Sequence, residues 1–218
     1  MTETCDLQNG HDARLYVSLA ATPGSRSAIP IDHPPYRYCP ACGGNLETRL
    51  LRAGEPERLV CTACGFVFYL DPKVAVGTII QMRDERIVLV RRAIEPGYGQ
   101  WVFPGGYVDR GEPLAAAAIR EAKEEAGLEV ELNGLVNVYS YRGRAPVIIV
   151  YAATALRGEP TADEESLEVA LFSPDELPWD KLAFRSTREA LRDYLRGVLH
   201  PHLTDPGSGA EHPVPPSR

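Results

Sequence analysis

The stretch GGYVDRGEPLAAAAIREAKEEAGL, residues 105–128, constrains this chain more tightly than any other. Pro113 suits a first helical turn and Gly127 suits the position just past a helix end, so the pattern predicts a helix over Pro113–Ala126. Positions three and four apart share a helix face, which puts Glu121, Glu124 and Glu125 on one side. Carboxylates this close repel and raise one another's pKa. Two readings are open: a solvated acidic face, or a set of hard oxygen ligands for Mg²⁺ or Mn²⁺. A divalent ion held there can clamp a diphosphate, neutralise its charge and activate water. The second reading gains weight from the glycines at 105 and 106, which permit a tight turn, and from Trp101, Phe103 and Pro104, which stiffen the approach.

The second constraint is a pair of knuckles, Cys39-Pro-Ala-Cys42-Gly43 and Cys61-Thr-Ala-Cys64-Gly65, with 18 residues between the inner cysteines. That spacing suits a four-cysteine zinc ribbon, a closed structural site with no ligand position left for water. The fifth cysteine, Cys5, reads as an unpaired thiol. Matched C-x-x-C pairs without an export signal point to a reducing, cytoplasmic setting rather than to disulfides.

Around these two features the chain divides into four parts: a disordered N-terminal segment over 1–34, the ribbon over 35–70, a catalytic domain over 71–199 and a disordered tail over 200–218. Strands are expected over 74–82 and 86–90 as a hairpin, then over 130–132, 135–141, 146–156 and 167–172, with a last helix over 186–198. Trp101 belongs to the core. The net charge of −7 and pI near 5.3 give no general reason to bind a nucleic-acid backbone, and the ribbon's arginines and glutamates balance without a basic stripe. No apolar run approaches the roughly 20 residues of a membrane span.

Gly106, Glu112, Arg120-Glu121-Ala122, Glu124-Glu125 and Gly127-Leu128 follow the pattern G-x5-E-x7-R-E-U-x-E-E-x-G-U, where U is bulky and aliphatic. The chain thus resembles the Nudix hydrolases; only Ala122 is smaller than the pattern prefers. The resemblance implies an α/β/α sandwich with a mixed sheet, and cleavage of a nucleoside diphosphate linked to another moiety. It implies Glu121, Glu124 and Glu125 as Mg²⁺ or Mn²⁺ ligands together with the Gly106 carbonyl, Arg120 as the residue that orients them, and Glu112 as a supporting acid. Glu124 or Glu125 would be the general base, with Glu165 and Glu168 as candidates outside the box.

A ribbon before such a domain is similar to the NADH pyrophosphatases, but the S-Q-P-W-P-F-P-x-S motif of that subgroup does not match Tyr139–Pro146. Asp71-Pro72-Lys73, Arg91–Pro96, Gly99–Trp101, Glu165–Glu168 and Leu182–Phe184 resemble the zinc-ribbon FAD pyrophosphatases instead. That implies conversion of FAD to FMN and AMP, with ADP-ribose or NAD(H) as alternative substrates. Tyr98, Tyr107 and Tyr141 could then stack on a ring, and Arg142 and Arg144 contact phosphate. A homodimer joined through the ribbons is expected. The non-enzymatic alternative is a nucleotide-sensing regulator that uses the ribbon as a binding module.

Overall fold

A computed structural model describes residues 36–200. The expected disordered segment over 1–34, Cys5 and the tail beyond His200 lie outside the described residues. His200 itself exchanges two backbone hydrogen bonds with Leu135, of 2.7 and 2.8 Å.

The ribbon is a three-stranded antiparallel sheet of β1 (Leu46–Arg49), β2 (Arg58–Cys61) and β3 (Val67–Phe68). The larger sheet contains β4 (Val74–Gln81), β5 (Ile87–Arg92), β6 (Trp101–Val102), β7 (Glu129–Ser140), β8 (Val147–Arg157) and β9 (Ser166–Phe172). Its order is β6-β5-β4-β8-β7, and β9 branches from β5. The pairing of β4 with β8 is parallel and the others are antiparallel, so the sheet is mixed, as the resemblance implies. Among the described residues no helix is long and apolar enough to cross a membrane.

Helix α1 (Leu114–Ala126) buries Ala117, Ala118, Ala122 and Ala126 completely. Small side chains let its axis lie close to the sheet, and Thr78 Oγ1 donates to the Ala118 carbonyl at 3.2 Å. Alternate residues of β8 serve two cores, as strand periodicity requires. Ile149 and Tyr151 join Val76, Ala117 and Ala118, whereas Val150 and Ala152 join the larger cluster with Leu191 of α2 (Arg185–Leu195). Gly127 takes a left-handed φ of 71° and ends α1 where the sequence places the stop.

Two expectations need correction. The segments 130–132 and 135–141 form one strand, β7, whose register shifts around Gly134. An irregularity there absorbs the polar interruption Asn133-Gly134 without ending the strand. The last helix stops at Leu195 rather than near residue 198, because Gly197 is left-handed at φ 78° and Val198 N–H folds back to the Asp193 carbonyl.

Gly77 lies in the middle of β4, under Phe103. A Cβ built there would lie 2.1 Å from Phe103 Cε2. Gly77→Ala is therefore expected to lower the unfolding free energy by about 1–3 kcal/mol. This reads as a reduced urea midpoint at constant slope; an unchanged midpoint would mean that Phe103 swings aside freely.

Candidate active site

The loop ahead of α1 is stitched to β4. Thr78 N–H donates to the Pro104 carbonyl, Val76 N–H to Gly106 and Val108 N–H to Val74, at 2.9, 2.9 and 3.0 Å. The loop is thereby a continuation of the sheet rather than a free connection. Gly106 faces the helix so closely that a Cβ would sit 2.7 Å from the carboxyl atoms of Glu121. A larger residue at 106 would push the Glu121 carboxyl out of this position. The Gly106 carbonyl already accepts one hydrogen bond from Val76, which leaves it one further lone pair.

Arg120 gathers the acids. Its Nε and Nη2 grip both oxygens of Glu112 at 2.8 and 2.9 Å, and its Nη1 donates to Glu121 at 2.7 Å and Glu124 at 2.9 Å. Nη2 also reaches the Tyr107 carbonyl at 3.3 Å. The guanidinium and the Asp109 N–H hold the Glu112 carboxyl down at about 2. Glu121 is pushed up by burial, against the pull of Arg120. Glu124 keeps 57% of its side chain exposed.

Glu125 stands apart from this network. It accepts the Gly105 N–H at 2.6 Å. Burial raises its carboxyl to about 7 against that bond, and the nearby charges of Glu121 and Asp163 add to the rise while Arg92 opposes it. Glu121 and Glu125 are both raised by burial, and carboxylate oxygens of this kind are hard donors whose chemistry suits a divalent cation.

The acid of the 159–165 loop whose charge reaches Glu125 is Asp163, which sequence reasoning missed. The run Asp163-Glu164-Glu165 offers several acids, and no spacing rule selects among them. Thr161 N–H donates to the Ala126 carbonyl, a bond that seats this loop on the end of α1. Glu165 is exposed. Its amide donates to Asp163 Oδ1 at 3.0 Å and its carbonyl takes Ala93 N–H at 2.7 Å. Glu168 pairs with Arg91 at 3.2 Å.

Of the expected substrate contacts, Tyr98 lies on one loop and Tyr141, Arg142 and Arg144 lie on another. Tyr98 is exposed on the turn between β5 and β6. Tyr141 is tied to α2: its hydroxyl donates to Glu189 at 2.8 Å, and Arg185 lies 4.8 Å from its ring centroid. Arg142 and Arg144 are exposed on the turn from β7 to β8.

In the ribbon, the Sγ atoms of Cys39, Cys42, Cys61 and Cys64 lie within 4.8 Å of one another. The closest pairs, Cys42–Cys61 at 3.5 Å and Cys39–Cys64 at 3.8 Å, are far too long for disulfides and match the edge of about 3.8 Å of a ZnS₄ tetrahedron. Gly43 and Gly65, both at φ 74°, turn each knuckle. The Cys64 N–H leads the groups that draw the Cys61 thiol down to about 6. Cys42, although its Gly44 N–H contact lowers it, is carried up to about 12 by Cys64, Cys61 and the other raising groups.

The family model for the NUDIX domain matches residues 71–194, and the Nudix N-terminal zinc-ribbon model matches residues 37–70. The chain is 38% identical over 132 residues to an ADP-ribose pyrophosphatase of Methanocaldococcus jannaschii, covering 59% of this chain and 76% of that protein. It is 27% identical over 182 residues to the NAD-capped RNA hydrolase NudC of Pseudomonas aeruginosa, covering 83% of this chain but 60% of that one. A crystal structure of a NUDIX hydrolase from Nitrosomonas europaea superposes with a TM-score of 0.71 at 33% identity, covering 77% of this chain and 97% of that one. The chain belongs to the Nudix hydrolase family and carries that family's N-terminal zinc ribbon. It is an enzyme that hydrolyses nucleotide diphosphates.

If Glu125 is an ion ligand, as the family resemblance implies, a proton on it competes with the ion, and Mn²⁺ affinity is expected to rise with pH through about 7 and then level off. In metal-free protein the same group contributes instability that grows as pH rises from the ordinary 4.5 through about 7, since the folded state favours the proton. Titrating Mn²⁺ binding by paramagnetic relaxation between pH 5 and 9 checks this. If Glu125→Gln retains the native pH profile, the assignment fails.

Proposed function

We propose that the enzyme hydrolyses the diphosphate of an adenosine diphosphate joined to a second group, with FAD, cut to FMN and AMP, as its preferred substrate. Support comes from where the segments that resemble the FAD pyrophosphatases meet. Arg91 pairs with Glu168, Ala93 N–H donates to the Glu165 carbonyl, and Ala183 N–H donates to Trp101. Arg92 donates to the Pro96 carbonyl at 2.9 Å, lies 5.2 Å from the Phe184 centroid and acts on Glu125. Segments scattered from residue 91 to 184 thus form one wall beside the catalytic helix. A second reading, ADP-ribose, rests on the 38% identity to the archaeal ADP-ribose pyrophosphatase.

In this reading Glu121, Glu124, Glu125 and the Gly106 carbonyl hold Mg²⁺ or Mn²⁺, which supplies positive charge to the diphosphate and helps activate water. Water oxygen bonds to one phosphorus, the bridging P–O bond breaks, and the bridging oxygen departs on the other phosphate. Two phosphomonoesters result. The water proton must be taken up, and Glu125, whose carboxyl burial raises in the metal-free protein, is the acid of the box we assign to exchange it. Arg120 holds the Glu121 and Glu124 carboxyl groups in place.

Purified protein with Mg²⁺ or Mn²⁺ should release FMN and AMP from FAD faster than it cleaves ADP-ribose, NADH or a diadenosine polyphosphate, by product chromatography and mass spectrometry. Glu125→Gln should reduce turnover by about 100-fold or more. A higher kcat/KM on ADP-ribose or NADH would replace the substrate and keep the mechanism.

The same proposal gives the ribbon a structural zinc and a pairing role. Tyr38, Leu50 and Tyr69 are exposed by 67, 59 and 57% on the ribbon and the linker that follows it, apolar surface suited to a second copy in a homodimer. One zinc per chain and a dimeric sedimentation coefficient are expected, both lost in Cys61→Ser. A zinc-loaded monomer would end the pairing role.

A further inference from the structure

The region where β4 and β8 begin carries positive charge that the acid machinery does not use. Val74 pairs with Val147, so the two parallel strands start side by side, and Val147 N–H donates to the Lys73 carbonyl at 2.9 Å. Lys73 is thereby fixed next to the turn Tyr141–Pro146, which carries Arg142 and Arg144. That turn is closed by Arg144 N–H on the Tyr141 carbonyl, and its base is anchored to α2 through Tyr141 and Glu189. On its other flank Lys73 reaches the catalytic loop, with its Nζ 4.6 Å from the centroid of the Tyr107 ring. Tyr107 follows Gly106 directly, and its carbonyl takes Arg120 Nη2.

All three cations are exposed. Among the described residues none has a carboxylate within ion-pair distance, whereas most basic groups nearer the acids, Arg91, Arg120 and Lys123 among them, are paired. A chain of net charge −7 has carboxylates to spare. It nevertheless holds an ammonium against a ring, which attracts it without neutralising its charge. A diphosphate seated at Glu121 and Glu125 would be served by the metal and would not need this rim.

We infer that Lys73, Arg142 and Arg144 form a specificity rim that binds a further phosphate carried by the substrate beyond the scissile diphosphate. The proposal rests only on the nucleoside-diphosphate reading above and not on FAD as the substrate, since FAD carries no phosphate beyond its scissile diphosphate. The ligand chemistry is a phosphate dianion or phosphodiester on the nucleoside part of the molecule. Lys73 supplies a point charge, and the arginines supply paired N–H donors suited to phosphate oxygens. The rim acts on binding, so its effect falls on KM rather than on kcat.

The test compares ADP-ribose, ADP-ribose 2′-phosphate, and ADP-ribose extended at its adenosine 3′-oxygen by one phosphodiester-linked nucleotide, with the full-length, metal-loaded protein. The native enzyme is expected to favour at least one phosphate-bearing substrate by about tenfold in kcat/KM, the size of one charge-assisted contact. Which of the two is favoured distinguishes a terminal phosphate from a phosphodiester. Lys73→Ala and the double variant Arg142→Ala/Arg144→Ala should bring the ratio to within about twofold of unity, Lys73→Arg should restore most of it, and added salt should shrink it. A native ratio near one, or a ratio unmoved by Lys73→Ala, overturns the rim. Equilibrium binding of the same ligands to Glu125→Gln protein reads the rim without turnover. Absence of turnover with the affinity ratio intact would sink the diphosphatase reading and uphold the rim; turnover of all three ligands at equal efficiency would do the reverse.

Discussion

Three glutamates within five residues, with Glu121 buried, cannot share a helix face unless something offsets their repulsion, and Arg120 does so. Its planar fork spends every nitrogen on the site: two on Glu112, one shared between Glu121 and Glu124, with a further contact to the Tyr107 carbonyl. Lysine could not replace it, because a point charge cannot grip Glu112 with two parallel bonds and still reach the helix acids. The grip on Glu112 also ties the far end of the catalytic loop to the helix, so the arginine fixes backbone as well as charge. Glu125 is left outside the fork, and that separation explains its different behaviour. It has a backbone N–H and a dehydrated setting in place of a guanidinium, and its carboxyl therefore rises where Glu112 falls.

The geometry that brings the loop and helix together depends on residues with little or no side chain. Gly106 admits the Glu121 carboxylate, Gly77 admits Phe103, and the alanines of α1 admit the sheet. The departure from the family pattern at Ala122 belongs with these. Ala122 is completely buried within the larger core, where its small side chain continues the alanine face of Ala117 and Ala118. Close approach of backbone elements, rather than bulk in the core, brings Gly106 against the Glu121 carboxyl.

Much of this was legible in the sequence because local rules were strong there. Helix spacing fixed the acid face, Pro113 and Gly127 fixed its ends, and knuckle spacing fixed the cysteine cluster. Long-range pairing was less legible. No local pattern says that β9 adds to β5, which is what brings Glu168 to Arg91, or that the loop after Gly158 folds over the end of α1 and carries Asp163 to Glu125. Of the expected outside acids, Glu165 lies on the same loop as Asp163 and Glu168 lies on β9 against Arg91, and choosing among neighbouring acids requires their directions in space. Tyr141 illustrates the same limit. Its sequence neighbours Arg142 and Arg144 suggest a ligand surface, while Glu189 and Arg185, more than forty residues away, engage its hydroxyl and ring.

Charge distribution links these observations to substrate choice. An acidic enzyme acting on an anionic molecule meets repulsion at long range and needs attraction at short range. A divalent ion, as proposed, would answer this only at the scissile diphosphate. Groups farther along the substrate need protein cations, and those cations are useful only if the protein's own acids do not neutralise them first. Arg91 fails that condition, since Glu168 occupies it, and Arg185 fails it through Glu189. Arg92 meets it by hydrogen bonding to a carbonyl and lying over Phe184, and Lys73 meets it by resting on Tyr107. A cation held by a ring or a carbonyl is oriented yet still charged, so the two sides of the catalytic loop offer different kinds of recognition: a wall beside Glu125 built from the segments around Arg92, and a basic rim beside Tyr107.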